Sequence, residues 1–407
     1  TAGIAGRVQP PDGNHLEESG GDGGMKWEKV KLGDVCEITS SKRIFYSEYV
    51  DDGVPFYRSK EIIESDEGKA IENPLYISVD KYNEIKEKFG VPQTGDMLLT
   101  SVGTIGVPYI IKKNDCFYFK DGNLTWFKDF RDGLNSKYLY YWVKSSEGTG
   151  ILYNTTIGSS QKALTISALK NIKVSLPPRS VQDKIVEVVS AYDDLIENNQ
   201  KQIKLLEEAA QRLYKEWFVD LRFPGHENTK IVDGVPEGWS KTNINEILTF
   251  HRGYDLTKNE MKAGRYPVVG STTVIGYHNE FKIKGPGIVT GRSGSLGKYQ
   301  FIWDNFWPHN TSLYISDYKD HNIFFVYSLL QTVDFASLNN GGAIPTLNRN
   351  VLSNIEVIEP TDELQEMFAK IAEPQYQKIK KLEKQNYRLK TARDLLLPKL
   401  MSGEVEV

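Results

Sequence analysis

The chain has 407 residues, of which 39% are hydrophobic and 26% are charged, and its formal net charge is −4. This length suffices for two or three domains that each bury a core, and no apolar stretch approaches the roughly 18 residues that a membrane span requires. The negative charge argues against a protein that coats nucleic acid nonspecifically, because such domains carry a basic excess. The two cysteines, Cys36 and Cys116, exclude a disulfide framework and favour the reducing cytoplasm.

The first 24 residues are rich in glycine, proline and acidic residues and precede Met25. Such a composition is typical of segments that do not fold by themselves. We therefore expect residues 1–24 to be a disordered leader or an expression remnant, and the folded protein to begin at Met25.

From Met25 onward the sequence repeats itself. The strand-like segment 54–59 (VPFYRS) corresponds to 266–271 (YPVVGS), and segment 164–176 (LTISALKNIKVSL) corresponds to 347–359 (LNRNVLSNIEVIE). Because a repeat of this kind marks a duplicated structural unit, the sequence predicts two related domains.

These two domains are predicted to span residues 25–178 and 223–360. In each, short apolar strands and Gly/Asn turns precede a helical element, near residues 137–144 in the first domain and 323–330 in the second. Each domain is therefore predicted to mix helices and strands.

Each domain is followed by a segment in which the apolar period changes from two to about 3.5 residues. Residues 179–222 and 361–403 each predict a long helix, and Pro374 should kink the second helix or delay its start. The apolar stripes predict a seam between the helices, in which Asn199 and Asn386 act as polar residues that set the register. The predicted seam residues are Ile185, Val188, Tyr192, Leu195, Asn199, Leu206, Leu213, Ile371, Ile379, Leu382, Asn386, Leu389 and Leu396.

The chain path predicts how the two helices pair. The first helix leads from one domain to the other and the second begins where the second domain ends, so a pair must be antiparallel. Opposite net charges on the helices favour this pairing over self-pairing. The predicted fold class is α+β, with two pseudo-twofold-related α/β domains joined by two long antiparallel helices in a coiled coil. Apolar stripes alone are also compatible with two separate dimerisation helices.

Trp217 and Phe218 are neighbours within the first predicted helix. Adjacent residues cannot share one narrow helical stripe. We therefore expect one of the two rings to face a domain or a partner.

Several segments of the helices resemble a known family. They are residues 176–178 (LPP) with Gln182, residues 206–208 (LEE), residues 214–220 (YKEWFVD) and the ending 396–404 (LLPKLMSGE). Together with the alternation of two domains and two helices, they are similar to the specificity subunit of Type I restriction-modification systems.

This resemblance implies a cytoplasmic, non-catalytic subunit that binds double-stranded DNA in phage defence. Each domain would read one half of a bipartite, asymmetric target, and the helices would set the spacer and dock the methyltransferase subunits. The implied partners are two methyltransferase subunits and two restriction subunits, with no membrane. DNA methylation and cleavage, and with them S-adenosylmethionine, ATP and Mg²⁺, would belong to the partners, so no cofactor is expected in this chain.

No recognisable catalytic motif or metal-binding pattern occurs in the sequence. Residues 176–179 (LPPR) lack the flanking residues of an Asp/Asn-Pro-Pro-Tyr/Phe methyltransferase site, Lys298 follows no P-loop pattern, and Ser293 lies in no nucleophile elbow. The histidines follow no metal-ligand spacing. Two alternatives stay open: a coiled-coil scaffold that binds only protein, and a DNA methyltransferase.

Basic and small polar residues on predicted turns are the candidates for DNA reading, because turn side chains can reach base edges and phosphates. Each could equally be a solvated turn residue or a cap, but the groups recur at equivalent places in the repeat. Gly103, Gly106, Gly294 and Gly297 indicate a tight turn or a close approach to DNA. The candidates in the first domain are Lys42, Arg43, Arg58, Ser59, Lys60, Thr100, Ser101, Thr104, Gln161 and Lys162. Those in the second domain are Arg252, Tyr254, Ser271, Thr272, Arg292, Ser293, Ser295, His309 and Asn310.

Overall fold

The residues described by the computed structural model are 27–69, 71–158, 162–292, 297–333 and 355–407. The expected leader, residues 1–24, lies outside them. The chain divides into two compact units, unit 1 (Thr1–Asp193 with Thr391–Val407) and unit 2 (Asp194–Lys390). Each long helix contributes to both units.

Unit 1 combines two four-stranded sheets with short helices. Its strands are β1 (Glu28–Lys31), β2 (Glu37–Thr39), β3 (Tyr49–Val50), β4 (Val54–Tyr57), β5 (Leu75–Ile77), β6 (Met97–Thr100), β7 (Pro108–Ile110), β8 (Tyr118–Phe119), β9 (Leu124–Lys128) and β10 (Lys173–Leu176). Its helices are α1 (Leu32–Val35), α2 (Ser59–Asp66), α3 (Val79–Phe89), α4 (Ser136–Lys144), α5 (Ser146–Thr155), α6 (Ile166–Asn171) and the start of α7 (Arg179–Tyr214).

The sheets of unit 1 have the strand orders β2-β9-β6-β7 and β3-β5-β4-β8, and β4 runs parallel to β8. Strand β1 pairs with β10, so the first and last strands of the domain close on each other. Helix α4 begins where the Asn135 side chain caps it and buries Tyr138, Leu139 and Trp142 in the core. Asparagine at a helix start accepts free backbone N–H groups, which explains why the predicted helical element begins there.

Unit 2 has a similar set of elements. Its strands are β11 (Ile231–Val232), β12 (Val235–Pro236), β13 (Ser240–Asn243), β14 (Thr249–Arg252), β15 (Tyr266–Val269), β16 (Val274–His278), β17 (Gly287–Gly291), β18 (Tyr299–Ile302), β19 (Trp307–Pro308), β20 (Ser312–Asp317) and β21 (Glu356–Glu359). Its helices are α8 (Ile244–Ile247), α9 (Ile323–Thr332), the rest of α7 and the first part of α10 (Asp362–Ser402).

The topology of unit 2 repeats that of unit 1. The order β14-β20-β17-β18 matches β2-β9-β6-β7, β15 runs parallel to β19 as β4 does to β8, and β13 pairs with β21 as β1 does with β10. In unit 1 helix α2 lies between β4 and β5, whereas in unit 2 the equivalent strands β15 and β16 are joined by residues 270–273 alone. The predicted repeat is thus present in the strand order of both units.

The same side-chain clamp ties each domain to the start of its long helix. In unit 1 the buried Gln182 amide donates to the carbonyls of Gly133 and Pro177 at 2.7 and 2.9 Å and accepts the Asn135 N–H at 2.9 Å. The Asn135 side chain donates to Asp183 at 2.6 Å. A buried amide with several well-placed partners fixes its surroundings, because leaving any partner unpaired is costly.

In unit 2 the equivalent residue is Gln365. It is buried, donates to the Pro360 carbonyl at 3.2 Å and lies 3.2 Å from His321 Nδ1. Asn322, which caps α9, donates to Glu366 at 3.2 Å. The two helix starts are therefore built by the same rule.

The long helices pair antiparallel within each unit. In unit 1, Asp193 of α7 forms an ion pair with Arg393 of α10. In unit 2, Asn199 and Asn386 are buried and the Asn199 amide donates to the Asn386 side-chain oxygen at 2.8 Å. Helix α10 is continuous through Pro374, so the later helix start suggested by that proline does not occur.

Most predicted seam residues are buried or half-buried, with two corrections. Leu195 is 38% exposed and Ile371 is 44% exposed. Their neighbours Ile196 and Ala372 are buried instead. A straight helix drifts by about 20° per heptad from a 3.5-residue repeat, so a stripe counted along the sequence can miss the buried face by one residue. The buried predicted residues are Ile185, Asn199, Ile379, Leu382 and Asn386, and the half-buried ones are Val188, Tyr192, Leu206, Leu213, Leu389 and Leu396.

A π-helical turn at Lys215–Val219 ends the first long helix. Trp217 and Phe218 are both buried there, with ring centroids 6.3 and 5.4 Å from Phe368. Phe218 also packs against Trp239 and Phe325 of the second domain, with ring centroids 5.9 and 5.3 Å apart, so the expectation that one of the two rings faces a domain is confirmed.

We expect Asn386→Leu to lower the free energy of unfolding by about 1–3 kcal/mol, because Asn199 loses its partner inside the seam. Replacing both asparagines with leucine should recover most of this loss. Denaturant unfolding of the single and double variants measures the coupling, with the exposed Leu205→Ala on α7 as the control. Strictly additive effects of the two single changes would contradict a direct interaction.

Candidate nucleic-acid interface

In unit 2 several predicted DNA-reading residues converge on Thr311, just before β20. The Thr311 carbonyl accepts the Arg292 N–H at 3.1 Å and the Ser271 hydroxyl at 2.8 Å. Its own hydroxyl lies 2.9 Å from His309 Nδ1. The ends of β15, β17 and β19 therefore meet in one loop cluster. Arg292 is half-buried.

Asp255 joins two further candidates to this cluster. Its carboxylate accepts a hydrogen bond from the Asn310 side-chain amide and lies 3.4 Å from the Arg252 guanidinium. Next to it, the Tyr254 hydroxyl lies 2.9 Å from the Tyr314 hydroxyl. Lys282 extends over the Trp307 ring at 4.7 Å. The region presents guanidinium, amide, imidazole and hydroxyl groups, which are the usual donors to base edges and phosphates.

Unit 1 uses the same frame with other side chains. The Asn123 carbonyl accepts the Ser101 N–H at 2.8 Å, and the Ser59 hydroxyl lies 3.5 Å from it. Asn123 thus occupies the place of Thr311, Ser59 that of Ser271 and Ser101 that of Arg292. The predicted correspondence between segments 54–59 and 266–271 matches these contacts.

Lys42 and Arg43 are exposed and border the same loop. The Arg43 guanidinium forms a 2.8 Å ion pair with Asp121. The Lys42 N–H donates to the Tyr118 hydroxyl at 2.7 Å, and the Lys42 ammonium lies 4.5 Å from the Phe89 ring. Both side chains therefore lie at the loops that follow β2 and β8.

Three predicted DNA-reading residues have structural roles instead. Thr100 and Ser101 are 0% and 2% exposed, and their hydroxyls bond to the Val107 N–H at 2.9 Å and to the Thr125 hydroxyl at 2.7 Å. Arg58 forms a 2.6 Å ion pair with Glu61, whose side chain is buried. An arginine held by a buried carboxylate is already paired. Thr100, Ser101 and Arg58 are therefore removed from the DNA-reading candidates.

The remaining described candidates are exposed or contact residues of helices α2 and α5. Thr104 and Thr272 are exposed, and Lys60 lies 3.5 Å from Glu64. The Lys162 ammonium lies 3.5 Å from the Tyr153 ring. Gln161, Ser293, Ser295 and Gly294 lie outside the described residues.

Glycines at the predicted turns adopt a left-handed backbone. The φ values of Gly103, Gly106 and Gly297 are 79°, 85° and 80°. Only glycine adopts such values at little cost, so backbone geometry explains these positions.

Sequence reasoning missed Asp121, Asp255, Thr311 and Lys282. The two acids are counterintuitive at a surface for a polyanion, yet each orients a donor beside it. Their signal is positional, because both lie in the loops that connect the repeated strands. Among the residues that the structure describes, no group of three His, Cys, Asp or Glu side chains could hold a metal ion.

Comparison with known proteins identifies the class to which this chain belongs. The sequence profile of the Type I restriction modification DNA specificity domain matches residues 25–208 and again residues 236–390. The chain belongs to this family. It carries two specificity domains, as the repeat predicted.

Individual relatives agree with this assignment. The chain is 28% identical to the Type I restriction enzyme MjaIX specificity subunit of Methanocaldococcus jannaschii, over 94% of each protein. It is 22% identical to the Type I restriction enzyme HindI specificity subunit of Haemophilus influenzae, over 93% of this chain and 99% of that one.

A solved structure supports the fold. The crystal structure of the Type I restriction-modification S subunit from M. genitalium aligns with 93% of this chain and 97% of its own, with a TM-score of 0.60 and 18% identity. At this identity the likeness establishes the shared α+β architecture. In the described residues, no helix is long and apolar enough to cross a membrane.

Proposed function

We propose that this chain selects the DNA target of a Type I restriction-modification complex, with each unit reading one half of a bipartite, asymmetric site. The observation that carries the proposal is the shared loop frame with different side chains. Equivalent positions hold Arg43 in unit 1 and Asp255 in unit 2, and Arg292 stands in unit 2 where unit 1 has the buried Ser101. A common frame with different donors suits two different half-sites, because base pairs are distinguished by their donor and acceptor patterns.

The partners follow from the same proposal. Two methyltransferase subunits would dock on the paired helices, and two restriction subunits would join the complex for cleavage. S-adenosylmethionine, ATP and Mg²⁺ would bind to those partners, and this chain would act without catalysis. The family assignment favours this function over a scaffold that binds only protein and over a methyltransferase.

Because catalysis is assigned to the partner subunits, we predict that the purified chain transfers no methyl group by itself. Methyl transfer to duplex DNA should appear only when a methyltransferase partner and S-adenosylmethionine are both added. Incorporation of labelled methyl groups, followed by sequencing of the methylated sites, measures this. Methylation by the chain freed of all partners would overturn the non-catalytic role.

Arg292 tests the assignment of half-sites to units. We expect Arg292→Ala in the assembled complex to relax discrimination in only one half of the target, by about 1–3 kcal/mol at one base pair. The exposed Arg222, which pairs with Asp220 outside the loop cluster, provides the control Arg222→Ala. A uniform loss across all sequences would show that Arg292 contacts phosphate.

The paired helices are proposed to set the length of the nonspecific spacer, much as half-site spacing is fixed in dimeric DNA readers. Inserting seven residues into each helix, near residues 199–206 and 382–389, preserves the heptad pattern and adds about 10 Å at 1.5 Å per residue. At about 3.4 Å per base pair, the spacer should grow by about three base pairs. The methylated motif gives the readout.

The control places the same insertion in the exposed turn at His226–Asn228, outside both helices. This variant should keep the original spacer. An active complex with longer helices and an unchanged spacer would contradict the ruler.

A further inference from the structure

A short turn recurs in both units with a constant offset of 212 residues. It lies between β2 and β3 in unit 1 and between β14 and β15 in unit 2. In unit 1 it consists of residues 45–48 (FYSE) and in unit 2 of residues 257–260 (TKNE). Strand pairing fixes this correspondence on both sides. Before the turn, Ile38 faces Phe127 as Phe250 faces Ile315, and after it β4 aligns with β8 as β15 does with β19. No residue is gained or lost in between.

The last residue of the turn braces it in the same way in both units. Glu48 accepts the Phe45 N–H at 2.8 Å, and Glu260 accepts the Thr257 N–H at 2.8 Å. In return, the N–H groups of both glutamates donate to the carbonyls of the same residues, at 2.9 and 3.0 Å. These amide hydrogen bonds hold the pKa of both glutamates below the usual range. The carboxylate that is shared between the repeats therefore points inward at the backbone.

The residue before each turn anchors it to the domain. Ile44 and Leu256 are both buried. Lys81 adds a 3.0 Å ion pair to Glu48 in unit 1, and in unit 2 His309 Nε2 lies 3.2 Å from the Leu256 carbonyl. The turn of unit 2 is thus attached directly to the loop cluster around Thr311. An anchored and braced turn presents its tip in one geometry, which lowers the entropy lost on binding.

The tips of the two turns carry different chemistry. In unit 1 they expose two aromatic rings, with Phe45 61% and Tyr46 89% exposed. In unit 2 the same positions are Thr257 and Lys258, both exposed. Exposed aromatic rings on a rigid turn gain nothing from burial in the chain itself. The hydrogen bonds that brace the turn are thus the same in both units, whereas the side chains at its tip differ.

We propose that this braced turn is a specificity-determining element that contacts duplex DNA, with Phe45 and Tyr46 serving one half-site and Thr257 and Lys258 the other. The inference rests on the proposed reading of one half-site by each unit. Phe45 and Tyr46 offer apolar contact to thymine methyl groups and a hydroxyl to base edges, whereas Lys258 offers an ammonium to guanine.

The difference between the tips favours DNA over a protein partner. Two identical methyltransferase subunits would meet two equivalent surfaces, which calls for the same chemistry on both units. An asymmetric DNA target calls for different chemistry. No tip position in either turn is acidic, which favours contact with a polyanion, and Lys42 and Lys262 lie nearby in the sequence.

The test exchanges the tips in the complex assembled with its methyltransferase partner. One variant carries Phe45→Thr with Tyr46→Lys, and the other carries Thr257→Phe with Lys258→Tyr. Each should reduce discrimination on the order of 10-fold at one or two neighbouring base pairs, in a single half-site that differs between the two variants. The readouts are the methylated motif and the ratio of affinities for targets that differ by one base pair.

Two controls keep the outcome interpretable. Ile231→Ala removes an equally exposed apolar side chain from β11 and should leave the motif unchanged. Because all four tip residues are exposed, thermal unfolding of the variants should match that of the unaltered chain, and Tyr46→Ala provides a milder second variant.

Three results would overturn the inference. They are unchanged discrimination in both half-sites, an equal loss of methylation on every sequence together with weaker methyltransferase binding, or a change in the same half-site from both exchanges. If the unaltered complex methylates no bipartite motif at all, the proposed function fails first. That failure is visible before any variant is compared.

Discussion

The buried glutamine at the start of each long helix is the constraint on which the rest of the molecule depends. Gln182 and Gln365 sit where a domain's last strand meets a proline and the helix begins. Each amide bonds to that proline carbonyl and to the loop before the domain's own helix. Each donor and acceptor of a buried amide needs a hydrogen-bond partner, because an unsatisfied polar group costs about 1–3 kcal/mol. These hydrogen bonds therefore fix each domain to the start of its long helix, and with it the position of the domain's loops.

On this base the two domains keep a hydrogen-bonded frame and vary what it presents. The pair Arg43 and Asp121 in unit 1 corresponds to Asp255 and Asn310 in unit 2, so the contact is retained while donor and acceptor change places. Arg43 and Asp255 are both exposed, so these contacts contribute little to stability and act mainly by fixing where the polar groups lie. One fold can in this way carry two sets of the proposed base-reading groups.

Much of this architecture could be predicted from the sequence, because periodicity and repetition are properties of the chain alone. The two helices, their antiparallel pairing and the polar residues Asn199 and Asn386 all follow from apolar spacing and chain order. The loop candidates were harder, because a strand's last residue and a turn's first residue look alike in sequence. Thr100 and Ser101 are buried by β9, which is about 25 residues away along the chain. Arg58 is held by a glutamate that only the folded helix α2 buries.

The π-helical turn shows a second limit of sequence reasoning. The α-helical rule excluded one narrow stripe for Trp217 and Phe218, yet both rings contact Phe368, although Phe218 also faces the domain as expected. One residue inserted into a helical turn changes which side chains face the same way. No side chain in the sequence marks that insertion, because tertiary packing of the aromatic core determines it.

The net charge of −4 is compatible with the proposed DNA-reading surface. Nonspecific DNA affinity comes almost entirely from phosphate neutralisation by lysine and arginine. In the two loop regions, acids such as Asp121, Asp255 and Glu48 are instead used to orient neighbouring groups. Under the proposed function, such a surface would give up general affinity but keep the difference between right and wrong base pairs. That ratio, rather than the affinity alone, decides selection among the many competing sites of a genome. A chain devoted to specificity can therefore be acidic overall, provided that the subunits proposed to bind beside it contribute the general affinity for DNA.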